Sequence, residues 1–265
     1  MRAPRQLVPT FLKKPAYRLY EARLLQILDR SRFPHHIAVI LDGHRRYARR
    51  EGLVDYRDSY RAGMEKFEEF LGWTSDLGIE AITGWLLSTE NLKRPAEELD
   101  PLFEVFIEFF DRLPEEANGL GYSLRFIGSM DLLPPELSRA AKQAEERSNG
   151  HDRWLNIALG YGGRQEIADA TGELVRRLAA EAAPGEDISG QITPEAIAEH
   201  LYASDMPDPD LVIRTSGESR LSGFLLWQAA YSEYSFVDVY WPAFRRVDFL
   251  RELRNFTQRE RRFGQ

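Results

Sequence analysis

Residues Ile37, Ala38, Val39, Ile40 and Leu41 form an unbroken apolar run of strand length that stops at Asp42-Gly43. An unbroken run, unlike an alternating one, belongs to a strand covered on both faces, and such strands occur in parallel sheets flanked by helices. The rest of the chain keeps the same rhythm. Residues 79–87, 122–127, 154–159, 210–214 and 236–239 read as further strands, and 60–77, 99–113, 135–148, 165–183 and 248–263 as helices. Thr193-Pro194 opens one more short helix, a capping residue followed by proline at the first helical position. The expected fold class is α/β: a six-stranded, mostly parallel sheet flanked by helices, with ligands beyond the carboxyl ends of the strands. The loop at 184–190 has the same rhythm on both sides and marks no domain boundary.

Composition narrows the chemistry. The 265 residues contain no cysteine and five histidines, which excludes thiolate catalysis and leaves oxygen or imidazole for any metal. No apolar run approaches bilayer length and no signal-like segment opens the chain, so a cytoplasmic protein is expected. The net charge of −7 argues against a nucleic-acid partner. Charge is unevenly placed: residues 1–33 carry eight Lys/Arg against two Asp/Glu, ahead of an acidic body at 34–265. This basic N-terminal arm holds a helical stretch at 17–28 with Leu19, Leu24, Ile27 and Leu28 on a narrow stripe. Such a helix either packs on its own domain or a partner subunit, or makes peripheral contact with an anionic membrane surface. Residues 34–265 read as a single catalytic domain.

The strand ends carry the polar chemistry. The first runs into Asp42-Gly43-His44-Arg45-Arg46-Tyr47, a carboxylate, a glycine and two adjacent arginines that suit a magnesium ion beside a phosphate group. The second ends in Ser88-Thr89-Glu90-Asn91 with Arg94-Pro95 beyond it; the fourth in Gly160 to Arg164; the fifth in the stretch from Arg214 to Ser222. Each alone is an ordinary turn composition. Together they indicate phosphate. Neither a P-loop, a dinucleotide-binding glycine motif nor a nucleophile elbow occurs. His35-His36 is no metal pair, since adjacent strand residues face opposite ways.

These segments, together with the stretch from Trp227 to Glu233 and the tail Arg259 to Gly264, resemble the cis-prenyltransferases, the undecaprenyl diphosphate synthase family. The resemblance spans about residues 34–265, and the basic arm is most similar to that of the actinobacterial short-chain branch, the Z-farnesyl diphosphate synthases. It implies a homodimer whose subunits enclose a hydrophobic tunnel. It implies Mg2+ held by Asp42 and Glu233, with catalysis by Asp42, Asn91 and His44. The allylic diphosphate would meet Gly43, His44, Arg45, Arg46, Tyr47 and Arg94, with Ser88, Thr89 and Glu90 adjoining. The isopentenyl diphosphate would meet Arg214, Arg220, Leu221 and Ser222, while Arg262 and Gly264 reach the partner's site. Leu86 would shorten the tunnel, and the stripe Phe103, Phe106, Phe109 and Phe110 would line it or serve as core. The implied reaction is head-to-tail condensation of isopentenyl diphosphate with dimethylallyl or geranyl diphosphate, giving a Z-isoprenyl diphosphate of about three isoprene units.

Departures leave alternatives open. His44 replaces the family's asparagine and Tyr47 its tryptophan, while Tyr60 stands at a usual histidine, as in the short-chain branch. Irregular members that join two allylic units head to middle, giving lavandulyl-type skeletons, also depart at that asparagine, although Arg214, Arg220, Ser222 and Asn91 are all retained here. A catalytically silent partner subunit is the non-enzyme alternative; such subunits lose the aspartate that Asp42 supplies.

Overall fold

The structure is a computed structural model that describes residues 10–148 and 150–259, with side chains described at Tyr17 and from Leu19 onward. Six strands, β1 (His36–Ile40), β2 (Ala81–Trp85), β3 (Tyr122–Ile127), β4 (Arg153–Ala158), β5 (Leu211–Arg214) and β6 (Glu233–Phe236), form one sheet in the order β3-β4-β2-β1-β5-β6. Every pairing is parallel. The inner strands are the buried ones: β1, β2 and β5 are buried along their whole length, and β4 over its last four residues.

Eight α-helices complete the described residues: α1 (Thr10–Ile27), α2 (His44–Glu51), α3 (Tyr56–Asp76), α4 (Ala96–Gly119), α5 (Pro135–Glu146), α6 (Gly163–Glu181), α7 (Pro194–Ala198) and α8 (Arg246–Gln258). α4 outruns its expected length because its apolar face continues through Leu113 to Ala117, and this burial carries the helix past Pro114. α2 has no counterpart in the sequence reading. Its residues, HRRYARRE, bury only Ala48 and offer no apolar stripe. β6 also differs, starting at Glu233 instead of Phe236. Among the described residues it is the last strand of the sheet, paired with β5, and its half-exposed residues lack the apolar run of β1.

The chain divides into two compact units, residues 34–243 and a second built from 1–33 with 244–265. In the second, α1 packs along α8, where the Arg245 guanidinium donates to the Tyr17 hydroxyl at 2.7 Å and Arg251 lies over the Tyr20 ring. α1 leaves Leu19 and Ile27 exposed. No described helix is long and apolar enough to cross a membrane.

In the larger unit the sheet packs against aromatic side chains. Gly84 allows the Phe67 ring to lie on β2, since a Cβ there would stand 2.6 Å from it. Phe67 meets Phe109 edge-on, and Phe110 bridges Phe106 and Phe126. Leaving β1, the chain pairs first with β2 on one side and returns later through β5 on the other. That reversal is where parallel sheets bind ligands.

Candidate active site

At this reversal the carboxyl ends of β2, β1 and β5 stand level, with Ile40 opposite both Trp85 and Arg214. A cavity of about 730 Å³ opens above them. Its volume is that of a site for one or two small organic ligands.

The cavity's charged part begins where β1 ends. Gly43, in the left-handed region at φ 109°, turns the backbone from strand into α2. Thr215 pins this turn: its hydroxyl donates to the Asp42 carbonyl at 2.9 Å and accepts from the Asp42 N–H at 3.1 Å. The Asp42 carboxylate takes hydrogen bonds from Arg214 (2.9 Å) and Arg46 (3.1 Å). Partial burial pushes the Asp42 carboxyl up, but the two guanidinium groups outweigh it and hold it below the ordinary carboxylate range. Arg46 also donates to Glu218 (2.9 Å) and the Ser216 hydroxyl (2.7 Å), and Arg220 donates to Glu218 at 2.6 Å. Arg214 reaches the Ser222 hydroxyl at 2.7 Å and the Arg220 carbonyl. The outcome is an alternating chain, Arg214–Asp42–Arg46–Glu218–Arg220, in which carboxylates occupy guanidinium donors. Ser216 and Ser222 adopt positive φ, a strained conformation for residues with a side chain.

A second cationic group lies across the opening. Arg45 donates to Glu98 at 2.6 Å. Arg94 is half-buried with no side-chain partner among the described residues, and burial together with Arg45 lowers its pKa from the ordinary value. The buried Tyr60 hydroxyl is likewise unpartnered, and burial raises its pKa. The Ser88 hydroxyl accepts the Asn91 backbone N–H at 3.0 Å, which leaves its own proton available to the cavity.

Apolar wall residues include Ile40, Met64, Trp85, Leu86, Leu87, Leu102 and Phe106. Three helices each contribute an i, i+4 pair to the wall: Arg45 and Arg49 from α2, Tyr60 and Met64 from α3, Leu102 and Phe106 from α4.

Of the residues expected from sequence, Asp42, Gly43, His44, Arg45, Arg46, Leu86, Ser88, Glu90, Asn91, Arg94, Phe106, Arg214, Arg220 and Ser222 all line this cavity. Tyr47, Thr89, Phe103 and Leu221 do not, and Phe110 stands behind Phe106 as core. Arg262 and Gly264 lie outside the described residues. Glu233 is displaced from Asp42: the register sets it opposite Leu211, three residues and roughly 10 Å back along the sheet from Arg214. Asp42 and Glu233 of one chain therefore do not share an ion. The second carboxylate near Asp42 is Glu218, which sequence reading did not single out. Arg49, Tyr60, Met64 and Leu102 were also missed as wall residues.

His44 lines the cavity with one of its ring nitrogens already engaged. Its Nδ1 lies 3.2 Å from the Ser59 carbonyl, which fixes the proton on that nitrogen, and the ring sits tilted against Tyr60. Burial pushes its pKa down, outweighing the Ser59 and Leu41 carbonyls and Asp42, so the imidazole is neutral.

Residues 40–264 match the family model for undecaprenyl diphosphate synthase. The chain belongs to this prenyltransferase family. Among curated members it is 49% identical over 262 residues to the (2Z,6E)-farnesyl diphosphate synthase of Mycolicibacterium smegmatis, covering 97% of this chain and 99% of that one. It is 48% identical over 256 residues to an isoprenyl transferase of Thermus thermophilus, covering 96% and 97% respectively. Among solved structures, the lavandulyl diphosphate synthase of Lavandula x intermedia in complex with dimethylallyl diphosphate superposes with a TM-score of 0.80 at 32% identity, covering 89% of this chain and 100% of that chain. Prenyltransferase membership accounts for a cavity that joins arginines to an apolar wall.

Proposed function

We propose that the protein is a short-chain Z-isoprenyl diphosphate synthase that condenses isopentenyl diphosphate head to tail with dimethylallyl or geranyl diphosphate and stops at about three isoprene units. The observation that carries this reading is the cavity itself, in which the Arg214–Asp42–Arg46–Glu218–Arg220 chain adjoins a wall of Met64, Leu86, Leu102 and Phe106. The allylic diphosphate fits the start of α2, against Gly43, Arg45 and Arg46 with Arg94 alongside. As its carbon–oxygen bond breaks, the electron pair leaves on the diphosphate, and these fixed donors meet the developing charge. Isopentenyl diphosphate fits Arg214, Arg220 and Ser222. Asn91, with Ser88, stands where the proton departs after the new carbon–carbon bond forms.

The donors present fit magnesium. Asp42 is ionised and faces the cavity, and this ion characteristically takes one or two carboxylates and completes its shell with substrate phosphates and water. Asp42 would hold it, with Glu218 as the nearest second carboxylate. Bound there, magnesium supplies positive charge to the diphosphate oxygens. The homodimer belongs to this proposal, on the family resemblance.

Incubating the protein with magnesium, labelled isopentenyl diphosphate and, separately, dimethylallyl, geranyl or farnesyl diphosphate tests the reading. A product of about three units is expected from the shorter primers. A second reading, irregular coupling of two allylic units, is favoured by His44 and by the likeness to the lavandulyl enzyme. Product formed from dimethylallyl diphosphate alone would establish it and overturn the first, and no product either from that incubation or from those with isopentenyl diphosphate would favour the silent subunit.

A further inference from the structure

α2 is a helix that its own sequence supports poorly. It is eight residues long, has no side-chain cap at its N-terminus, and places Arg45 and Arg46 in its first turn, where the helix dipole disfavours positive charge. Yet Arg45, Arg46 and Arg49 all line the cavity. Something outside α2 has to hold its first turn in place.

The contacts of His44 do this. Its ring N–H donates to the Ser59 carbonyl at 3.2 Å, and the Ser59 hydroxyl donates back to the His44 carbonyl at 2.7 Å. One turn further along α3, the ring occupies the space above Gly63, where a Cβ would stand only 2.0 Å from the ring Cε1. Ser59 and Gly63 share one helix face, so together they form a seat of small side chains that this ring fills. The Gly63 carbonyl is itself fixed by the Trp241 indole N–H at 2.8 Å. A side chain on residue 63 would collide with a ring held by its Nδ1 to the Ser59 carbonyl, on a residue whose backbone carbonyl is held by the Ser59 hydroxyl.

We propose that His44 is a positioning residue: seated on Gly63 and bonded reciprocally to Ser59, it fixes the first turn of α2 and so presents Arg45, Arg46 and Arg49 to a diphosphate before the ligand arrives. This rests on the diphosphate-binding reading above and adds to it a coupling between residues 44 and 63. His44 touches no reacting atom in this role. Its contribution is to preorganisation, which in a set of charged donors appears as ligand affinity.

The test is a double-mutant cycle read by calorimetric titration with inorganic pyrophosphate in magnesium buffer. Wild type, His44→Ala, Gly63→Ala and the double variant are compared. His44→Ala is expected to weaken pyrophosphate binding about tenfold, and Gly63→Ala comparably because its methyl expels the ring. In the His44→Ala background, Gly63→Ala is expected to change affinity less than about twofold, the ring being already gone. His44→Gln, whose amide can still donate to the Ser59 carbonyl, recovers part of the loss. Equal effects of Gly63→Ala in both backgrounds would overturn the proposal. So would His44→Ala lowering only the melting temperature while pyrophosphate affinity stays unchanged. If Gly63→Ala does not fold, the His44→Ala and His44→Gln comparison decides alone. Turnover is not read in this experiment, so a protein that elongates no prenyl diphosphate would sink the functional reading and leave this result standing.

Discussion

Of the arginine–carboxylate pairs in the larger unit, two sets differ in almost everything but chemistry. Along the outside of α3 and α4, Arg57 meets Glu104, Arg61 meets Glu108, and Arg112 meets Glu68. These rungs repeat at helical spacing, each pairs one cation with a carboxylate of the other helix, and water reaches them. Exposed pairs of this kind contribute little to stability. In the cavity, Arg214, Asp42, Arg46, Glu218 and Arg220 form a continuous chain in which three members have two charged partners each. Arg214 is 5% exposed, and its Nε has no partner. A surface ladder satisfies itself; a cavity network with spare donors is arranged for something else to enter. Arginine content therefore says little until burial separates the two.

Substitutions can sharpen that contrast. Asp42→Asn keeps the shape of the cavity but removes the charge between Arg46 and Arg214, and turnover measured with labelled isopentenyl diphosphate is expected to fall by about 10²- to 10³-fold. Leu86→Ala alters the apolar wall and leaves the charged chain intact. The product, identified by chromatography, is expected to lengthen by at least one isoprene unit; unchanged length would show that Leu86 does not limit the chain.

His36 is a third case, buried and polar but outside both networks. Its Nδ1 lies 2.7 Å from the Pro207 carbonyl and its Nε2 2.8 Å from the Thr83 hydroxyl, and burial lowers its pKa from the ordinary 6.5. The unfolded chain then binds this proton at higher pH than the folded one. Its stabilising contribution is complete above about pH 6.5 and is lost as pH falls toward the folded value, by up to about 1.4 kcal/mol per pH unit. Urea unfolding between pH 7.5 and 5.5 should show this slope, and His36→Asn should flatten it. The smallest effect belongs to the ladder. Arg61→Ala should shift the melting temperature by no more than about 1 °C and leave turnover unchanged. A large loss there would erase the distinction between the two sets.

The fold was legible where burial is two-sided. β1 announces itself as a continuous apolar run because both its faces are covered, and β2 and β5, read as strands from shorter apolar stretches, are buried along their whole length as well. α2 and β6 do not announce themselves, for opposite reasons: α2 carries charge toward a cavity instead of apolar residues toward a core, and β6 has, among the described residues, a sheet neighbour on one side only. In the site, residues next to a strand end, such as Asp42, Arg214 and Ser88, can be found from the strand itself. Glu233 could not be placed correctly, because chain position does not reveal which end of a strand a residue occupies until the register is known. Tyr60, Met64, Arg49 and Leu102 depend on how helices are rotated about their own axes, which only packing determines. His44 was noticeable as an unusual residue beside a phosphate motif. That its ring points into α3 follows from Gly63, nineteen residues away, and no local pattern links the two.

Gly84 on β2 limits the routes by which the packing beside the apolar wall can change. With the Phe67 ring against its backbone, no side chain can be introduced at 84 while that ring remains, and shrinking residue 67 first opens a void under the sheet. Neither single step is comfortable, so the two positions tend to move together or stay as they are. Leu86, two residues on, has no such bond to a partner and faces the cavity directly. Among descendants of this chain, changes in product length would therefore be expected to accumulate at Leu86 well before they appear in the Phe67–Gly84 pair.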